Sequence, residues 1–257
     1  MILILLDQSG SMEETFPDGT RKAEAAALAV NRVIYEIQEA SQAGEKIKDR
    51  CMVAVIGYGE RVSSMANGMI SRLADHPLRI EELTRRESDG AGGLVEVKFQ
   101  MPVWVDPVAE NGTPMGTAFE VAHDLLSNQW LPDHPDSFPP IVINLTDGEP
   151  DDVDEARDAA DKLRSLQTSD GSLLLFNAHI SGTAGAEVKL PHTDNGLADE
   201  NARFLFDISS PLPDSMLKEA HKAGFSPAPQ PGARGFVYNA GAESMIKLLT
   251  FGSSALR

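Results

Sequence analysis

Short apolar runs, separated by stretches of helical period, organise this chain from end to end. Residues 2–6 (ILILL) are uninterruptedly apolar. The run is too short for a helix and too uniform for a strand with one wet face, so it predicts a strand buried on both sides. Residues 51–58 (CMVAVIGY), 141–145 and 172–180 (SLLLFNAHI) repeat the signal, and 235–239 predict a last strand. Between these runs, residues 20–40 carry Ala27, Val30, Ile34 and Ile37 at helical spacing. A second helix is expected over 116–128, just after Thr113-Pro114, since proline suits a helix start. Further helices are expected over 151–165, whose acidic first turn suits the helix dipole, over 213–224, stopped by Gly224 and Pro227, and over 242–251. Strands alternating with helices predict an α/β fold, a doubly wound and mostly parallel sheet. The first helix supplies the crossover that parallel pairing of the first two strands requires.

The pattern loosens in two places. Over 59–110 it suggests a short edge strand at 62–64, a short helix at 78–86, and at 95–105 an edge strand or hairpin interrupted by Pro102. Over 181–210 only a short apolar piece at 204–208 stands out. Nothing reads as a linker, so the expectation is one domain over 1–257.

Composition narrows the partners. A 42% hydrophobic content in 257 residues is enough for a full core. A net charge of −17 argues against nucleic acid or an anionic membrane as the main partner; it fits cation binding or a basic partner, and equally a surface that is simply soluble. The one cysteine, Cys51, leaves no internal disulfide and reads as a small buried hydrophobe. No apolar run approaches the ~20 residues of a membrane helix. The start at Met1 has neither the basic flank nor the cleavage site of a signal peptide, so a cytoplasmic location is expected.

The first strand ends in the candidate chemistry. Asp7-Gln8-Ser9-Gly10-Ser11 sets a carboxylate and two hydroxyls at every second residue of a tight turn, a cluster of hard oxygens suited to Mg²⁺, Mn²⁺ or Ca²⁺ rather than zinc. Each residue also has a plain reading, Asp7 as a turn cap and the serines as turn formers. Two later stretches, Asn111-Gly112-Thr113-Pro114-Met115-Gly116 and Leu145-Thr146-Asp147-Gly148-Glu149-Pro150, follow in the order expected of one site. Together the three resemble the metal-ion-dependent adhesion site (MIDAS) of von Willebrand factor type A domains. The resemblance runs from Met1 to about Leu249, with insertions at about 65–110 and 181–210. It is nearest to the stand-alone bacterial intracellular proteins, whose relatives are encoded near protein kinases, phosphatases and tellurite-resistance or other stress-response proteins.

The resemblance implies a metal site of Asp7, Ser9, Ser11, Thr113 and Asp147, holding Mg²⁺ or another divalent ion and leaving one position for an Asp or Glu of a partner protein. Thr113 has a rival in Thr117, and Asp147 in Asp151 and Asp152, which also read as a solvated helix start. Asn111 stands where the motif commonly has glycine. Other candidates are His179 near a strand end, with a core or rim role as its plain alternative, and His134 between Asp133 and Asp136. Trp104 and Phe99 read as a contact surface or a local core, and the methionines as packing. The glycine-rich residues 89–93 lack the lysine of a nucleotide loop. The expected function is a non-enzymatic, metal-dependent protein-interaction module in a bacterial signalling or stress-response system, with a kinase or phosphatase among its candidate partners. The alternatives are a Mg²⁺-dependent phosphohydrolase, for which a convincing nucleophile and base are missing, and a metal-independent acidic adaptor.

Overall fold

β1 (Ile2–Asp7) is buried along its whole length, and its side chains divide between two cores. Ile2, Ile4 and Leu6 join one apolar cluster, while Leu3 and Leu5, with Met1, join the other. This is the alternation that a strand between two helical layers must show. The computed structural model describes residues 1–88, 93–181, 186–197, 199–226 and 228–254. After β1, a 3₁₀ turn (Gly10–Glu13) and a polar loop lead to α1 (Lys22–Ser41). A small hairpin, β2 (Gln42–Ala43) and β3 (Lys46–Ile47), precedes β4 (Met52–Tyr58), which turns back as β5 (Val62–Met69). Then come α2 (Ile70–Asp75), the long hairpin of β6 (Arg79–Ser88) and β7 (Leu94–Val103), and α3 (Met115–Leu125) with a π-helical turn (Leu126–Trp130). β8 (Ile141–Thr146) and α4 (Val153–Arg164) follow, then the hairpin of β9 (Gln167–Thr168) and β10 (Gly171–Ser172), and β11 (Leu174–Ile180). The chain closes through β12 (Val188–Lys189), α5 (Glu200–Ile208), α6 (Asp214–Lys222), β13 (Phe236–Ala240) and α7 (Ala242–Ser254).

The seven-stranded sheet has the order β12-β13-β11-β8-β1-β4-β5. Its five central strands run parallel, and the edges β5 and β12 pair antiparallel. α1, α6 and α7 cover the face that Ile4 joins; α3, α4 and α5 cover the face that Leu5 joins. The chain leaves β1 for β4 on one side and later returns to β8 on the other. That reversal makes the carboxyl ends of β1 and β8 a topological switch point, where open α/β sheets hold their ligands. Among the described residues no helix is long and apolar enough to cross a membrane.

Two local expectations are corrected. Residues 78–86 are not a helix: β6 pairs with β7 over ten residues, and Glu82 meets Lys98 across the ladder. A helix would have needed a core face for Ile80, which instead is 59% exposed. The edge strand at 62–64 extends to Met69, because β4 offers it a ladder along its whole length. The apolar piece at 204–208 is the inner face of α5, whose first turn is capped by Asp199 accepting from the Ala202 amide. Trp104 is core rather than a contact surface: its indole N–H donates to the Leu73 carbonyl, and Asn31 of α1 accepts the amides of Trp104 and Val105. Residues 89–92 of the glycine-rich stretch, and 182–185 and 198 of the second insertion, lie outside the described residues.

Near the carboxyl ends of the strands, the α3–α5 face turns polar. The Tyr58 hydroxyl donates to Asn144 Oδ1 at 2.7 Å, Asn144 Nδ2 to Asn177 Oδ1 at 3.0 Å, and Asn177 Nδ2 to Ser209 Oγ at 2.9 Å. Asn144 and Asn177 are wholly buried, and each bond is satisfied by the next. Truncation in the middle strands both neighbours. Asn144→Ala is expected to lower stability by about 3 kcal/mol and Tyr58→Phe by about 1 kcal/mol, read as urea midpoints at unchanged slope.

Candidate metal site at the carboxyl ends of β1 and β8

The apolar run of β1 carries Asp7 to the sheet's end and buries it, leaving 1% exposed. Asp7 Oδ1 accepts the Ser9 amide at 2.8 Å, the turn cap that its sequence context suggests, and Oδ2 accepts the Thr146 hydroxyl at 2.6 Å. Burial pushes the Asp7 carboxyl up to about 6, against the hydrogen bonds of Thr146 and Ser9; Asp147 nearby adds to the rise. After Asp7 the chain turns, and Ser9 and Ser11 come together with their Oγ atoms 3.0 Å apart. Ser11 Oγ donates to Asp147 Oδ1 at 2.7 Å.

The third loop closes on these two. A side chain at Gly148 would come within 3.7 Å of Ser11 Oγ and 4.0 Å of Thr113 Oγ1, so both hydroxyls flank that glycine. The Thr113 amide donates to Asp151 Oδ1 at 2.9 Å, and the Asp151 amide donates to the Thr113 carbonyl at 3.0 Å. Asp151, solvent-exposed as a helix-start residue would be, also ties its turn to the threonine loop, while Asp152, exposed too, caps α4 through the Glu155 amide. Thr117 points to Glu155. Gly112, at φ +84°, takes a left-handed turn that glycine permits, immediately before Thr113.

The donor set suits a hard cation: hydroxyl and carboxylate oxygens, without thiol or imidazole. Oxygens about 3.0 Å apart are the adjacent ligands of an octahedral ion bound at about 2.1 Å. The Ser9–Ser11 separation of 3.0 Å has this spacing, and the Ser11–Asp147 hydrogen bond at 2.7 Å is somewhat shorter. Among the described residues no group of three or more His, Cys, Asp or Glu could hold a metal by itself, so any ion here needs the hydroxyls.

Two contributors were not legible as site residues. Thr146 belongs to a recognised stretch, but its bond to Asp7 is visible only in three dimensions. Lys22, the first residue of α1, places Nζ 2.7 Å from Asp147 Oδ2 and 2.7 Å from Glu14 Oε2. Its one sequence signal is a cation at the positive end of a helix, where the dipole disfavours it. Other candidates resolve otherwise. His134 stacks on Trp130 at 3.6 Å and bonds the Trp130 carbonyl, and Asp136 accepts from Ser169. Met12, Met101 and Met115 are buried in packing.

His179 sits beside Thr146 in the β8–β11 register and stacks on Tyr238 with centroids 5.1 Å apart. Among the described residues its buried Nδ1 has no hydrogen-bond partner. Burial holds the imidazole below its ordinary 6.5, against the pull of Asp199 and Asp147. The folded state thus binds fewer protons than the unfolded chain, and this residue's contribution is lost as pH falls below 6.5. Asp7 acts in the opposite sense, its stabilising contribution being lost as pH rises from 3.8 through about 6. The difference between wild type and His179→Phe isolates the histidine. Relative to wild type, the variant should gain stability at about pH 5 compared with about pH 7.5, read from urea midpoints.

No protein-family model matches the chain, and no curated protein matches it by sequence. Solved structures do. The pilus adhesin SpaC from Lactobacillus rhamnosus GG superposes with a TM-score of 0.55 at 13% identity, over 99% of this chain and 30% of SpaC. BatB from Bacteroides thetaiotaomicron gives 0.50 at 15% identity, over 99% of this chain and 97% of BatB. Proximal thread matrix protein 1 from the mussel byssus, with a zinc-occupied MIDAS motif, gives 0.50 at 13% identity over 96% of this chain. The chain spans less than half of the length of that protein, 45%. At such identities the likeness is one of fold, and the fold is the α/β, Rossmann-like one of von Willebrand factor type A domains.

Proposed function

We propose that this chain is a metal-dependent protein-interaction module that captures an acidic side chain of a partner. The supporting observation is the run of hard oxygens, Ser9 Oγ to Ser11 Oγ to Asp147 Oδ1, gathered at 3.0 and 2.7 Å on the switch point of the sheet. Ser9, Ser11 and Thr113 would offer hydroxyls to the ion. Asp7, fixed by Thr146 and the Ser9 amide, and Asp147, fixed by Ser11 and Lys22, would offer charge, directly or through water. A bound Mg²⁺ would supply an open coordination position and residual positive charge suited to a carboxylate. The chain's own residues set the loop geometry and keep the acids from swinging.

The reading is non-catalytic. Among the described residues, neither serine of the site has a histidine within hydrogen-bond reach, and the bonds of both acids go to hydroxyls, an amide and Lys22. In line with the bacterial proteins the motifs resemble, we place the module in the cytoplasm, serving a kinase- or phosphatase-linked stress response.

Two measurements test this. Millimolar Mg²⁺ should raise the melting temperature of wild type by a few degrees, through preferential binding to the folded state. The shift should vanish in EDTA and in Asp7→Ala. An array of Asp- and Glu-containing peptides should retain the wild type in Mg²⁺ and release it in EDTA, with Asp7→Ala retained in neither; retention unaffected by EDTA would overturn the metal role.

A further inference from the structure

Lys22 is in an expensive place. Its side chain is 6% exposed, and its charge lies at the positive end of α1. Burial opposes the ammonium, yet its hydrogen bonds to Asp147 and Glu14 outweigh that and hold its pKa above the ordinary value. Nothing in helix packing calls for a cation there. Alanines occupy much of the rest of the buried face of α1, so a small apolar residue would pack at lower cost. What the position does provide is contact with Asp147, whose side chain is 0% exposed. With Ser11 on Oδ1 and Lys22 on Oδ2, both oxygens of Asp147 are held by the chain itself. Glu14, 68% exposed, braces the ammonium from outside, and its carbonyl accepts the Lys22 amide at 2.9 Å.

We propose that Lys22 is the specificity-determining cation of this site: it competes with a divalent ion for Asp147 and makes the loaded site more attractive to a partner's carboxylate than it would be without the lysine. The inference rests on the metal-dependent reading above. Asp7 and Asp147 together match the charge of a divalent ion. With those two acids alone the attraction for a carboxylate would rest on the ion's local charge at its open position, with no net charge to add to it. Lys22 adds one positive charge within hydrogen-bond distance of Asp147, and Glu14, 2.7 Å from the ammonium but 68% exposed, offsets it only through solvent-screened contact. It thus exchanges metal affinity for affinity toward an acid. This makes the two affinities move in opposite directions when the charge is removed, whereas a merely structural lysine would on removal weaken both.

The experiment titrates Mg²⁺ alone into wild type, Lys22→Met and Lys22→Arg by calorimetry. Acetate is then titrated into each Mg²⁺-loaded protein and followed by amide NMR shifts. Lys22→Met should bind Mg²⁺ about tenfold tighter and acetate about fivefold weaker, while Lys22→Arg stays within about threefold of wild type in both. The metal-free Lys22→Met protein should also melt below wild type and recover more of the loss on adding Mg²⁺, because Asp147 is left unpaired. If Lys22→Met does not fold, Lys22→Gln, an uncharged donor one atom shorter than lysine, takes its place with the same expectation. Mg²⁺ binding unchanged or weakened in the neutral variant overturns the role of Lys22 alone. Absence of Mg²⁺ binding in wild type overturns the metal-dependent reading itself.

Discussion

The bond from the Thr146 hydroxyl to Asp7 joins the ends of two neighbouring parallel strands, and the candidate site depends on it. β1 and β8 are laterally paired through five residues, but beyond Leu6 and Leu145 their chains diverge, one to α1 and the other to α4. Without a link the two acid-bearing turns would part. At 2.6 Å, and buried, the Thr146–Asp7 bond is in the range of a strong charge-assisted contact. It fixes one carboxylate oxygen, and the Ser9 amide fixes the other. The serines follow from the turn that the amide bond sets, and Asp147 is then reached through Ser11.

The buried polar ladder below the site has a related role. Tyr58, Asn144, Asn177 and Ser209 cross the α3–α5 face, Tyr58 in register with Asp7, and Asn144 and Asn177 one rank beneath Asp7 and Thr146. An apolar layer there would pack as well and would make no demand on register. A ladder of mutually satisfied side chains accepts one register only, because a slip of a strand leaves donors unpaired in the interior. The sheet's alignment, and with it the relative height of Asp7 and Asp147, is thereby held more tightly than hydrophobic burial alone would hold it.

Most of this was legible where local pattern and tertiary environment agree. Residues 2–6 are apolar on both faces because both are covered, so the strand and its burial followed from the residues. Asp7, Ser9 and Ser11 were legible because a single turn brings them together. At 78–86 the pattern misled: Ile80 and Leu83 are spaced as on a helix, and only the facing strand β7, outside any short window, decides for a ladder. Lys22 was illegible for the same reason. Its partner Asp147 is 125 residues away, and nothing near Lys22 in sequence indicates that its charge is spoken for.

The distance along the chain between the two halves of the site has a kinetic consequence. Asp7 and Thr146 are 139 positions apart, and Ser11 and Asp147 are 136 apart. Parallel strands whose partners lie so far off in sequence close their loops late, after local helices and hairpins have formed. A chain still emerging from the ribosome has made the first turn long before β8 exists, and an isolated Asp-Ser-Ser turn is too sparse a set of oxygens to retain an ion. On the metal-dependent reading proposed above, a grip on an ion would therefore arise only once β8 has joined β1, so that cation uptake would report on the late pairing of these strands.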